Sequence, residues 1–272
     1  MTVSLNKNTT LCISLAARPS NFGTRFHNYL YDLLDIDFVY KAFTTTDIAG
    51  AIAGVRALGI RGCSVSMPFK EEVIALVDEL DASATAIQSI NTIVNDDGYL
   101  RAYNTDYLAV AQLLAESAID PTTPFVLRGS GGMAKAVAAA LRDSGFEHGT
   151  VVARNPDRGQ ALAHDLGYRW VAEVTDESAP LLINVTPIGM AGGSEETQLA
   201  FSPELIDAAT SVFDVVALPA ETPLVQRARL SGATVITGAQ VIALQAAEQF
   251  ERYTGVRPTP EQVAEASTHA RA

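Results

Sequence analysis

Phe125-Val126-Leu127-Arg128-Gly129-Ser130-Gly131-Gly132-Met133-Ala134-Lys135-Ala136-Val137-Ala138-Ala139-Ala140-Leu141 joins a short apolar run to a glycine cluster and then to an alanine-rich stretch of high helix propensity. A strand that feeds a helix through a bare turn has this pattern. Gly129, Gly131 and Ala134 fit the spacing G-x-G-x-x-G/A, in which the first glycine turns the chain, the second admits a pyrophosphate and the small third residue lets helix and strand pack closely. Ser130 and Gly132 complete the turn. From about Met133 the free N–H groups of the helix start would face the two phosphates, with the helix dipole favouring their charge. The expected ligand is an anionic dinucleotide.

The surroundings strengthen a motif that is weak alone. Ser144-Gly145 ends the helix and Thr150-Val151-Val152-Ala153 reads as a second strand, giving a βαβ unit of roughly thirty residues. An NAD site places an acidic residue at the end of that strand. Here Arg154 and Asn155 stand there, followed by Arg158, and guanidinium forks match a 2′-phosphate, so the expected cofactor is NADP. The alternative is that both arginines are solvated, with Arg158 pairing Asp157. Later strands are expected at Tyr168–Val171, Leu181–Val185, Val212–Val216 and Thr234–Ile236, completing the six of a doubly wound sheet. Thr186, in the loop after the Leu181 strand, would meet the nicotinamide ribose or ring.

The 272 residues, 48% hydrophobic and 18% charged, suit one large or two medium globular domains. A net charge of −12 argues against a general nucleic-acid binder. No apolar run reaches membrane-spanning length, and residues 1–7 lack the charged-then-apolar order of a secretory signal; cytoplasmic residence is the expectation. Cys12 and Cys63 lie in apolar runs and read as buried thiols, and the four histidines have no metal-ligand spacing.

Ahead of the glycine motif, Leu11–Leu15, Phe38–Phe43 and Ile60–Ser66 read as strands, separated by helices over Thr24–Leu34, capped by Thr24, and from Thr46-Asp47 to Leu58. That alternation predicts a small parallel sheet with helical cover. Ser66-Met67-Pro68-Phe69-Lys70-Glu71-Glu72 then reads as a strand passing into a helix with Pro68 near its first position. Lys70 would oppose the dipole of that helix, which favours the neutral amine; it is either a proton-transferring group or a surface lysine offset by Glu71 and Glu72. Asn95-Asp96-Asp97-Gly98 is a hairpin signal between Ile90–Val94 and Tyr99–Tyr103. The Asn104-Thr105-Asp106 triplet that follows either caps the next helix through Asp106 or delivers a carboxylate into a cleft. A long helix from about Gln240 to Tyr253 and a last one from Pro258 close the chain.

The ordered series Ser66–Glu72, Ile90-Asn91-Thr92, Asn104-Thr105-Asp106, Gly129–Gly132 and Gly238 with Gln245 resembles the shikimate/quinate dehydrogenase family. It most resembles the shikimate-dehydrogenase-like branch, whose first loop reads Arg18-Pro19-Ser20-Asn21-Phe22-Gly23. The resemblance implies an α/β protein with an N-terminal substrate domain, residues 1–106, and a Rossmann-type NADP domain, residues 107–237, with 238–272 returning to the first. It implies Lys70 and Asp106 as the catalytic pair, Asn91 and Gln245 as contacts to ring hydroxyls, and Ser66 in place of a usual threonine. Gly238 belongs to the cofactor side. The implied activity is NADP-dependent interconversion of shikimate and 3-dehydroshikimate, or of a related cyclic hydroxy acid, within aromatic amino acid biosynthesis. Two departures weaken the link to shikimate itself: Asn21-Phe22-Gly23 replaces a carboxylate-holding Ser-x-Ser, and Ala217 replaces a substrate-facing tyrosine. Ser20, Asn21 and Arg18 are the candidate substitutes. The alternatives are an NADP-binding sensor with a drifted pocket and an NAD-linked quinate dehydrogenase.

Overall fold

A computed structural model describes residues 5–174 and 179–272. Residues 1–4, part of the stretch read for a secretory signal, lie outside it. The chain divides into two compact units, Met1–Thr105 with Ala243–Ala272, and Asp106–Ile242. Among the described residues no helix is long and apolar enough to cross a membrane.

The first unit carries β1 (Thr10–Ala16), α1 (Phe22–Leu33), β2 (Phe38–Thr44), α2 (Ile48–Ala57), β3 (Gly62–Val65), β4 (Glu79–Leu80), α3 (Ala82–Thr85), β5 (Thr92–Asp96) and β6 (Tyr99–Tyr103). Its sheet runs β2-β1-β3-β5-β6-β4. The first three strands are parallel, as the βαβαβ pattern requires, but β5 pairs antiparallel with both β3 and β6. The sheet is therefore mixed where a parallel one is expected, because the Asp97-Gly98 hairpin adds its strands to the same sheet. Asp97 and Gly98 adopt φ of 52° and 93°, the left-handed pair that a two-residue hairpin demands.

Three further boundaries differ from expectation. Helix α1 begins at Phe22 with Asn21 as N-cap, so Thr24 lies inside it. Pro68 opens no α-helix: residues 67–71 form a turn, and a five-residue 3-10 helix, Glu72–Leu76, follows. The dipole argument for Lys70 falls away with that helix. Asp106 stands within the first turn of α4 (Thr105–Glu116), where its charge suits the dipole, and is not the cap.

The second unit alternates strictly. It holds β7 (Phe125–Arg128), α5 (Gly132–Asp143), β8 (Gly149–Val152), α6 (Pro156–Leu166), β9 (Arg169–Val171), β10 (Leu181–Asn184), α7 (Pro203–Ala208), β11 (Ser211–Asp214), α8 (Pro223–Leu230) and β12 (Thr234–Thr237). All six strands are parallel, in the order β12-β11-β10-β7-β8-β9, the doubly wound arrangement with its reversal between β7 and β10. Helix α9 (Gly238–Thr254) carries the chain back, and α10 (Pro260–Arg271) ends it behind a capping box of Thr259 and Gln262.

Successive residues of β1 serve opposite faces of the first sheet. Ile13 and Leu15 pack with Ile48, Ile52 and Val55 of α2, whereas Cys12 joins Phe26, Leu30 and Tyr31 of α1 and Phe250 and Tyr253 of α9. Cys12 and Cys63 are free and buried, and burial pushes the Cys12 thiol up to about 12. His27 is fully buried in the same aromatic cluster, its ring stacked on Tyr40 at 4.4 Å. Desolvation lowers its pKa from 6.5 to about 3. Between those values the unfolded chain binds a proton that the folded protein refuses, so this contribution to stability is whole above pH 6.5 and is lost as pH falls. By pH 5 the loss should reach about 2 kcal/mol. Chemical denaturation of His27→Phe should show a shallower decline between pH 7 and pH 5 than the parent; equal slopes would contradict the assignment.

Candidate functional site

Ile90 and Asn91, just ahead of β5, hold the chemistry-bearing segments of the first unit. The Ile90 N–H donates to the Lys70 carbonyl at 3.0 Å, and the Asn91 N–H to the Tyr103 carbonyl at 3.0 Å. The Asn91 side chain is 2% exposed and its Oδ1 accepts from the Thr105 N–H at 2.8 Å, the Thr105 hydroxyl at 3.1 Å and the Thr92 hydroxyl at 2.8 Å. Its Nδ2 faces Gln245 Oε1 at 3.4 Å. One buried amide thus sets the backbone immediately before Asp106, while its neighbour in sequence fastens Lys70. Asn104, also buried, adds Nδ2 to the Ser89 carbonyl at 2.9 Å.

Gln249, one turn beyond Gln245 on α9, donates from Nε2 to the Thr92 hydroxyl at 3.0 Å and reaches the Ser64 hydroxyl and the Asn91 carbonyl at 3.3 Å each. It is 2% exposed. The sequence places Gln249 on this helix without marking it as part of the network. Ser66 is exposed, and its N–H donates to the Leu15 carbonyl at 2.9 Å, while Ala17 N–H reaches the Met67 carbonyl at 3.2 Å. The loop bearing Asn21 therefore starts beside Ser66. Asn21 is exposed and its side chain makes no capping bond, although its carbonyl receives the Arg25 N–H.

In the second unit a cleft of about 910 Å³ opens at the carboxyl ends of β7, β8 and β10. Gly129, Ser130, Gly131, Arg154, Asn155 and Thr186 are among the residues that line it. Gly129 has φ of +129°, and a Cβ there would stand 2.9 Å from the Val185 carbonyl oxygen. Gly131 caps α5, and a Cβ on Gly131 or Gly132 would meet nothing within 4 Å. Those two bare positions and the N–H groups up to Met133 make a cradle of the shape and polarity that a pyrophosphate fits. Asn155 Oδ1 caps α6 by accepting the Arg158 N–H at 3.0 Å. Arg154 and Arg158 are both exposed, and Arg154 lines the cleft. Gly238 answers a packing demand as well: a Cβ there would lie 2.3 Å from the Val215 carbonyl oxygen. Ala217 is half-buried in the extended segment after β11.

A buried polar node shapes the loops beside the cleft. Asn184 Oδ1 accepts the Thr186 hydroxyl at 2.6 Å and its N–H at 3.1 Å, while Nδ2 donates to Asp214 Oδ1 at 3.0 Å. Asp214 also receives the Thr222 hydroxyl at 2.6 Å and the Val216 N–H at 3.1 Å. Burial raises its pKa from 3.8 to about 6, against the pull of those three donors. Asp214→Ala would leave them unpaired and should cost about 3 kcal/mol in urea unfolding; a loss too small to measure would contradict the role given to the node.

The segment 22–93 matches the family model described as shikimate dehydrogenase substrate binding domain. A shikimate dehydrogenase-like protein of Haemophilus influenzae is 56% identical over 267 residues, 98% of each chain. A shikimate dehydrogenase (NADP(+)) of Chlorobium phaeobacteroides is 36% identical over 87% of this chain and 88% of its own. The crystal structure of shikimate 5-dehydrogenase from Thermus thermophilus, in complex with NADP(H) and shikimate, superposes with a TM-score of 0.86 at 29% identity, covering 96% of this chain and 99% of that one. With its six-stranded doubly wound sheet and with relatives 56% and 36% identical over most of its length, this chain belongs to the shikimate dehydrogenase family.

Proposed function

We propose that the protein is an NADP-dependent oxidoreductase that interconverts a ring hydroxyl and a ketone on shikimate or a closely related cyclic polyol acid. The observation that carries this reading is the pair of bonds at Ile90 and Asn91, consecutive residues just ahead of β5, which fasten the Lys70 carbonyl and the N–H of the residue before Asp106. A proton-transfer group and a carboxylate far apart in sequence are thereby tied to a common anchor.

When bound, NADP supplies the acceptor for the hydride that leaves the alcohol carbon. The chain's own residues manage the proton and the ring. Lys70 Nζ takes the hydroxyl proton during oxidation and returns it to the ketone oxygen during reduction. Asp106 orients that amine and shares the hydroxyl hydrogen bond. Asn91 and Gln245 contact the ring hydroxyls, with Ser66 and Asn21 toward the carboxylate end of the substrate. Without the Ser-x-Ser hydroxyls, each missing hydrogen bond costs about 1 to 3 kcal/mol, which supports slow turnover of shikimate or preference for another member of the class.

Purified protein with shikimate and NADP should produce NADPH absorbance, and Lys70→Ala should lower kcat by about two to four orders of magnitude with unchanged circular dichroism. Retention of full rate by this variant would overturn the assignment. Arg154→Ala should raise the Kd for NADP by about tenfold while leaving that for NAD within about twofold, as expected for a lost charge-assisted contact. Preference for NAD in the parent would instead identify an NAD-linked dehydrogenase, and tight NADP binding without turnover on any cyclic polyol acid would identify a sensor.

A further inference from the structure

Arg128 stands between the strand and the first glycine, a position the glycine spacing leaves unassigned. It is the last residue of β7, in register with Val152 of β8 and Asn184 of β10, and it is half-buried in the wall of the cleft. Its Nη1 donates to the carbonyl of Ala200, which lines the same cleft. That bond fixes the guanidinium while engaging one of its five N–H donors.

Its charged neighbours make the placement informative. Arg154, at the end of β8, is close enough to repel it, and that repulsion acts with burial to push the Arg128 pKa below the ordinary guanidinium value. Glu195 pulls the other way, and Glu173 also lines the cleft. A strut to Ala200 needs a single donor and gains nothing from a second cation beside it. In a chain of net charge −12, two guanidinium groups lining one cleft within electrostatic reach of each other suit a doubly charged anion.

We propose that Arg128 is a nucleotide-binding residue that grips the 2′-phosphate of NADP together with Arg154. The inference rests on the cofactor reading above. The pyrophosphate already has the N–H cradle of Gly131–Met133, whereas Arg128 is bonded to Ala200 and lies within electrostatic reach of Arg154 at the end of the neighbouring strand. Preference for the phosphorylated cofactor is then distributed over β7 and β8, and loss of Arg154 alone leaves part of it in place.

The test is equilibrium binding of 2′,5′-ADP and of 5′-AMP to the full-length protein, by calorimetry and by the emission of Trp170. That residue is the chain's single tryptophan, and its Nε1 donates at 3.2 Å to the carbonyl of Ala153 in the cleft wall. Arg128→Met should weaken 2′,5′-ADP by about tenfold and 5′-AMP by no more than about twofold, and Arg128→Lys should recover most of the loss. Should the methionine variant fail to fold, Arg128→Gln gives the same comparison. Equal weakening of both nucleotides would reduce Arg128 to a strut and overturn the inference, as would unchanged binding of both. If the parent shows no preference for 2′,5′-ADP over 5′-AMP, the cofactor reading falls and this inference with it; if that preference is undiminished in Arg128→Met, only this inference falls.

Discussion

A single amide carries the first unit's site. Asn91 is buried and its Oδ1 gathers three donors from Thr92 and Thr105, so the backbone entering α4 has no freedom to wander from β5. Removing those donors from water is costly unless each finds a partner, and the network satisfies that condition within hydrogen-bond distance throughout. Gln249 braces the same spot from a helix more than 150 residues further along the chain. The backbone at the start of α4 is therefore set by polar burial, and any residue unable to offer both acceptor and donor at position 91 disturbs it.

The second unit solves a different problem, close approach of backbone to backbone. Gly129 and Gly238 each sit where a methyl group would collide with a carbonyl, of Val185 and Val215 respectively. Those contacts draw the strand ends together beneath the cleft, and the Asn184–Asp214–Thr222 node holds the loops that leave them. The glycines thus answer a packing demand.

What could be read from the chain follows from how local each constraint is. Gly129 to Ala134, the alternation after it and the Asp97-Gly98 turn are written in consecutive residues, and their elements are found where the pattern puts them. Helix starts were less legible: Asn21 and Thr24 are both residue types that cap helices, yet α1 begins after Asn21 with no side-chain capping bond, so no local signal marks its first residue. The turn after Pro68 defeated periodicity because five residues of 3-10 helix are too few to show a repeat. Asn91 was nameable by resemblance, yet its bonds to Thr105 and Gln245 join segments that no spacing relates. Arg128 escaped for the same reason, since its partner Ala200 lies 72 residues away.

The first unit is interrupted in sequence, and this has a consequence for biogenesis. Residues 106–242 form a contiguous compact body, while the core beneath α1 takes Phe250, Tyr253, Val263 and Ala266 from the final stretch of the chain. On a ribosome moving from the N-terminus, the nucleotide-type body can condense first, and the opening 105 residues wait with Phe26, Leu30 and Tyr31 uncovered until α9 and α10 emerge.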